Sequence, residues 1–404
     1  MSDQPYTVIH NGTLLTPQEE VRDGVVVVQG ARIVDVGRRG QVSEPPAAAM
    51  IDAGGGYIAP GLVDIHVLGS KGAVVLDATP AALETMSRFF VTRGVTALVA
   101  TTVTAPPERL LASLECVRAV RRSGGLSGAE VLGVHQEGPF LNPAQKGCHP
   151  EALLCPPTPE RYRPYLEYAD VLISMTLAPE LDGALALIRA LRQAGVVAAA
   201  GHTEGIDREL APAIEAGLGH AVHCFCNMGT LRRDNLKRVA GAVETFLYDD
   251  RVTTELIGDG WHVGDSLMKL AVKVKGVERV AWVTDAMSAA GMPPGRYYVG
   301  GVEAIVEHGI ARLSDNSAYA SSVTTLDTCV RNGVERLGLR LRDSLHMATL
   351  TPARIAGVAS RKGSLEAGKD ADVIVIDGQG QVQLTMARGQ VVYRAEPGQG
   401  EMDR

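Results

Sequence analysis

The chain has 404 residues, 46% of them hydrophobic and 21% charged, so a sizeable core can form and wholesale disorder is excluded. That length is too great for one small domain and suits a barrel carrying an added module. The formal net charge of −7 argues against a nucleic-acid binder, which needs a basic face, while leaving room for a few donors to grip one phosphate.

At the N-terminus, MSDQPYTVIHNG has no charged stretch leading into an apolar one, so no secretory leader is expected, and no apolar run further on is long enough to span a bilayer. YTVIHNGTLLT, DGVVVVQGARIVDVG and YIAPG then read as short strands separated by turns. The tail, with GSLEAGKDADVIVID, QVQLTMARG and QVVYRAE, has the same texture, so residues 1–58 and 360–404 are expected to pair into one β-sandwich. Between them, residues 59–359 alternate apolar runs with amphipathic stretches such as PAALETMSRFFVTRG and TPERYRPYLEYA. The eight runs are 62–67, 97–102, 131–137, 171–180, 196–203, 221–225, 253–259 and 280–286. Buried strands alternating with helices make a parallel sheet, and eight such units close into a (β/α)₈ TIM barrel, an α/β fold. An open doubly wound sheet is the alternative, but no Gly-rich phosphate fingerprint follows the first run. The six cysteines, 116, 148, 155, 224, 226 and 329, are too scattered for a disulfide framework and read as reduced thiols of a cytoplasmic protein.

Chemistry concentrates where the runs end. His66 closes the first run, Glu137 the third, His202 the fifth and His223 the sixth; His262 follows the seventh and Asp285 closes the eighth. In a barrel these ends share one rim, where barrel enzymes place their active sites. A single histidine at a strand end is more often structural than a ligand, and an acidic residue there often caps a helix. Convergence from six segments reverses those odds. Glu137, His202 and His223 fit a His₂Glu site for one divalent cation per subunit, zinc first, with iron, manganese or cobalt as alternatives. Asp285 is placed to carry a proton from water to a leaving nitrogen. His149, in KGCHP, and His262 are expected to contact substrate. His135 is weighed evenly as a support for Glu137, while His10, His220, His308 and His346 read as structural or solvated. Cys224 and Cys226 flank the His223 segment, but no second cysteine pair completes a structural zinc site.

HQEGPFLNPAQKGCHP, TLAPE, GHTEG, IGDGWHV and VTDAMSAAG, with SLHMATLTPARIAGVASRKGSLEAGKDADVIVID, resemble the motif series of N-acetylglucosamine-6-phosphate deacetylases of the amidohydrolase superfamily. The resemblance runs over essentially the whole chain. It implies a TIM barrel with a β-sandwich from both termini, a homodimer, and a small amino-sugar phosphate as substrate. Residue by residue it implies Glu137, His202 and His223 as metal ligands and Asp285 as the acid/base. It implies substrate contacts at Cys148, His149, the Asp259–His262 turn and Thr324, and a phosphate-binding arginine from the neighbouring subunit, here Arg233 with Arg232 beside it.

Two departures stand out. The first run reads His66-Val67-Leu68 where many amidohydrolases have His-x-His, leaving His66 as half of a second metal site. Cys226-Asn227 replaces the family's Asn-Ala step, and Arg233-Asp234-Asn235-Leu236 replaces its Arg-Glu-Pro-Gly. Rival readings are therefore a deacetylase of an epimeric or unphosphorylated N-acyl amino sugar, and a catalytically silent binding protein. Enzymes that need a carbamylated lysine at the fourth strand are disfavoured, because TLAPE offers none.

Overall fold

The computed structural model describes residues 5–396, so the predicted sandwich segments 1–4 and 397–404 lie outside the described residues. Eight parallel strands form the central sheet: Leu62–Val67, Val95–Thr102, Glu130–Glu137, Leu172–Leu177, Val197–Ala200, His220–Ala221, Thr253–Ile257 and Val280–Val283. They pair in chain order, and a parallel bridge from Val67 to Ala286 brings the last strand back to the first. The sheet is a nearly closed TIM-like barrel.

Local chemistry explains the intervening helices. Pro80–Val91 starts where Thr79 caps it, its side chain accepting from the Ala82 N–H at 3.2 Å, with Pro80 in the first turn where no N–H is missed. Ala184–Gln193 buries Ala184, Leu187, Ile188 and Leu191, the i, i+3, i+4, i+7 stripe that packs a helix onto a sheet. At the other end of the chain, helix Leu350–Ile355 sets Ala353 against Val63, Val99, Ala281 and Val283.

The two ends of the chain share one mixed sheet. In order, its strands are Gln390–Arg394, Val382–Ala387, Val373–Ile376, Tyr57–Pro60, Tyr6–Leu15, Glu20–Gln29 and Arg32–Arg38, with Ala49–Asp52 alongside Tyr6–Leu15. Ile9, Leu14, Val26, Ile58, Val373 and Met386 form its main core. An ionic cluster ties this sheet to the barrel: Arg361 bonds Glu130 at 2.5 Å and Asp370 at 2.6 Å, and buried Lys362 meets Glu130 at 3.0 Å and also pairs with Asp372.

Three features lie outside the eight-run pattern; one is a short antiparallel pair, Gly69–Ser70 with Ala73–Val74, after the first strand. A hairpin, Arg232–Asp234 with Lys237–Val239, follows the sixth strand, and a three-stranded antiparallel sheet, Gly295–Val299, Val302–Glu307 and Ile310–Leu313, follows the eighth. No helix of the described residues is long and apolar enough to cross a membrane.

Candidate active site

The chemical side chains sit at or just past the strand ends, on the rim that the sequence pattern selects. His202, His223 and Asp285 lie two residues beyond the fifth, sixth and eighth strands. All three have left-handed backbones, with φ of 51°, 28° and 50°, and Phe225 and Asn227 join them at 78° and 51°. Non-glycine residues in this region are strained, and such strain concentrates where geometry serves function. The surroundings hold it in place. Asp285 N–H donates to His66 C=O at 3.0 Å and its own carbonyl accepts from Ser322 at 2.9 Å, while His202 C=O accepts from Asn142 at 3.0 Å. Gly201 lets the fifth and sixth segments close on each other, since a Cβ there would sit 2.4 Å from Val222 Cγ2.

Glu137, only 3% exposed, is the centre of the cluster. Its Oε1 lies 2.8 Å from His223 Nε2 and 3.2 Å from His202 Nε2; its Oε2 lies 3.4 Å from His149 Nε2 and 3.7 Å from His66 Nε2. Groups whose roles are fixed set the tautomers. His202 Nδ1 is 2.7 Å from the Gln145 carbonyl, which can only accept, so Nδ1 carries the proton of the neutral ring and Nε2 faces Glu137 as a bare lone pair. In His149 the order is reversed: Nδ1 accepts from the Thr104 N–H at 3.2 Å, which leaves Nε2–H to donate to Glu137.

Two donor sets with atoms mutually within 4.8 Å meet at Glu137, His66–Glu137–His223 and Glu137–His149–His202. The trio read from the sequence is thus divided between two sets that share its carboxylate. The tautomers separate ligands from donors. A bare His202 nitrogen against a carboxylate is a pair of acceptors that a cation would bridge, whereas His149 presents a proton. His66 Nε2 and His223 Nδ1 are buried without hydrogen-bond partners among the described residues. The donors fit a divalent cation of the kind two imidazoles and a carboxylate hold.

Burial would raise the Glu137 carboxyl, but the neighbouring imidazoles, led by His66, hold it well below its usual range. Burial lowers His202 to about 4, against the pull of Glu137. It raises Asp285 to about 6, opposed by His66 and His223, so this carboxyl binds a proton far more readily than an exposed aspartate.

A cavity of about 220 Å³ opens over the cluster, walled by Cys148, His149, Cys226, Asn227, His262, Tyr319, Ser321 and Asp285, among others. His262 is oriented by Asp259, Nδ1 to Oδ2 at 2.7 Å, and stacks on Tyr319 with ring centroids 4.6 Å apart. Thr324 does not line this cavity; its N–H bonds Ser322 Oγ, and Ser321 and Tyr319 form the wall instead. Arg233 is absent too, exposed on the hairpin, and among the described residues no lysine or arginine lines the wall. His135 supports the first strand, its ring 4.7 Å from that of His66 and its Nε2 2.7 Å from Thr176 Oγ1.

Two buried acids escape the strand-end reading. Glu255, mid-strand in TTELI, bonds His66 Nδ1 at 2.9 Å, His220 Nε2 at 3.0 Å and the His223 N–H at 3.1 Å. Asp64 accepts from Thr284 Oγ1 at 2.6 Å, tying the strand that carries His66 to the segment that carries Asp285. A charged residue in the middle of a strand-like run is the signal that marks both.

Residues 57–392 match the amidohydrolase family. The chain belongs to it. Over 337 residues it is 36% identical to an N-acetylglucosamine-6-phosphate deacetylase from Vibrio furnissii, covering 83% of each chain. It is also 37% identical over 358 residues to an N-acetylgalactosamine-6-phosphate deacetylase from Escherichia coli O157:H7, covering 86% of this amidohydrolase and 91% of the relative. Among solved structures, that of N-acetyl-D-glucosamine-6-phosphate deacetylase from Mycobacterium smegmatis, a variant in complex with N-acetyl-D-glucosamine-6-phosphate, superimposes with a TM-score of 0.88 at 33% identity. It covers 96% of this chain and 99% of that one.

Proposed function

We propose that this amidohydrolase hydrolyses the N-acetyl amide of N-acetylglucosamine 6-phosphate, giving glucosamine 6-phosphate and acetate. The observation that carries the proposal is the meeting of Glu137, its imidazoles and Asp285 under one cavity in a chain 36% identical over 337 residues to one such deacetylase. Glu137, His202 and His223 would hold one divalent cation, zinc first. The cation would polarise the amide carbonyl and make water more acidic. His149 Nε2–H, turned toward the cluster by Thr104, is the natural donor to the acetyl oxygen. Asp285 takes the proton of the attacking water as the new C–O bond forms. It returns that proton to the amide nitrogen as the C–N bond breaks, releasing a neutral amine.

The phosphate needs a cation that the cavity wall does not supply. We assign that role to Arg233 of a second subunit in a homodimer, with His262 and the backbone at Cys226 and Asn227 beside it. The exposed hairpin that carries Arg233 ends in Leu236, which is 92% exposed and suited to burial against another subunit. Six free cysteines favour a cytoplasmic setting.

The galactosamine relative supports a second reading, in which the epimeric sugar phosphate is the substrate. Acetate and amine release measured on N-acetylglucosamine 6-phosphate, N-acetylgalactosamine 6-phosphate and N-acetylglucosamine decides among them. The first should have the highest kcat/KM. A preference for the second substrate would transfer the assignment to the epimer, and equal rates on the first and third would remove the phosphate from it.

A further inference from the structure

We propose that Glu255 is a positioning residue, which accepts a hydrogen bond from His66 Nδ1–H and thereby presents His66 Nε2 as the lone pair for a cation between Glu137 and Asp285. Three donors converge on the Glu255 carboxylate: His66 Nδ1 at 2.9 Å, His220 Nε2 at 3.0 Å and the His223 N–H at 3.1 Å. A carboxylate can only accept, so both rings must direct a proton at it. His220 is itself held by Thr253, whose Oγ1 lies 2.9 Å from its Nδ1 and donates to the Gly219 carbonyl at 3.1 Å. With Nδ1–H committed, the other nitrogen is the one whose lone pair a cation would take, displacing the proton that Glu255 and Glu137 favour there against burial. That nitrogen is fully buried, has no hydrogen-bond partner among the described residues, and lies 3.5 Å from Asp285 Oδ1 and 3.7 Å from Glu137 Oε2. It is an electron-pair donor aimed at the gap where the reacting groups meet, and it is available to a cation held by Glu137. Histidines that serve cations in this way typically hand their other N–H to a carboxylate or carbonyl, as His202 hands its own to Gln145.

The proposal builds on the cation site assigned above, and its readouts need no sugar substrate, so it stands or falls separately from the substrate assignment. Zinc affinity is measured by chelator competition on wild type, Glu255→Gln, His66→Asn and the double variant. Nitrogen-15 spectra of histidine-labelled, zinc-loaded protein report the ring protons. Removing the partner of such a histidine weakens cation binding by ~10–100-fold, and that loss is expected for Glu255→Gln with a near-wild-type circular dichroism spectrum. The double variant should bind no more weakly than His66→Asn alone. Zinc affinity unchanged in a folded Glu255→Gln protein would overturn the proposal, as would losses from the two substitutions that simply add. If Glu255→Gln does not fold, the wild-type spectrum decides: Nδ1 protonated with Nε2 bare is expected, and a proton on Nε2 refutes it.

Discussion

In the proposed mechanism Asp285 and His149 have opposite electrostatic tasks, and their surroundings suit each to its own. Burial lifts Asp285 to about 6, so it can both take and surrender a proton near neutrality, whereas the Thr104 N–H fixes His149 as a donor. Asp285→Asn keeps the shape and removes the proton carrier. It should retain metal, measured by elemental analysis, and lose ~10²–10⁴-fold in kcat. Near-wild-type turnover would move the shuttle to His149 or His262. The cation predicts a second outcome. Chelator-treated protein should be inactive, and one equivalent of zinc per subunit should restore full activity. A second equivalent needed for full activity would make His66 the ligand of another ion.

At the level of strands and helices, the rim was legible because each of its residues interrupts or ends an apolar run. Glu137 and Asp285 are acids at the ends of QE and TD steps, and His202 and His223 follow alanine-rich or valine-bearing segments. Glu255 and Asp64 were not legible by that rule, since they lie within strands whose hydrophobic neighbours mask them. Thr324 fits a motif, yet the turn at Ser321–Ser322 points the wall elsewhere. Residues 295–313 alternate as a hairpin would but belong to no barrel unit. The contact between barrel and terminal sheet was equally invisible, because Glu130 and Arg361 lie 231 residues apart. Burial raises the Glu130 carboxyl, but Arg361 and Lys362 outweigh it and bring it to about 2. A carboxyl lowered from 4.5 in this way stabilises the fold above pH 4.5, and that contribution is lost as the pH falls toward 2. Glu130→Gln should therefore destabilise by about 3 kcal/mol at pH 7 in denaturant unfolding, and the difference from wild type should shrink steadily below pH 4.5. Asp372, raised by burial against the pull of Lys362, works in the opposite sense, which is why the comparison with the variant is needed. A difference that does not change with pH would assign the loss to packing.

For the whole molecule, the proposed function has each phosphate site completed by Arg233 of a second chain. Arg233→Ala should lower kcat/KM on the sugar phosphate by roughly ten- to a hundredfold and barely affect the unphosphorylated sugar. Co-expressing Arg233→Ala with Asp285→Asn tests the geometry, because a mixed dimer has one pocket with both an intact Asp285 and an intact partner arginine. Activity well above either parent is expected; no recovery would place Arg233 outside the partner's site. The terminal sheet has a different consequence, in the order of synthesis. Tyr57–Pro60 lies between Tyr6–Leu15 and Val373–Ile376, and its second neighbour is made roughly three hundred residues later. At 5–20 residues per second the ribosome needs ~15–60 s to reach it. Throughout that interval the nascent chain exposes an unpaired apolar strand edge, the kind of edge that seeks other chains. Its vulnerable moment is therefore birth, and chaperone capacity during translation should limit its yield more than the stability of the finished fold.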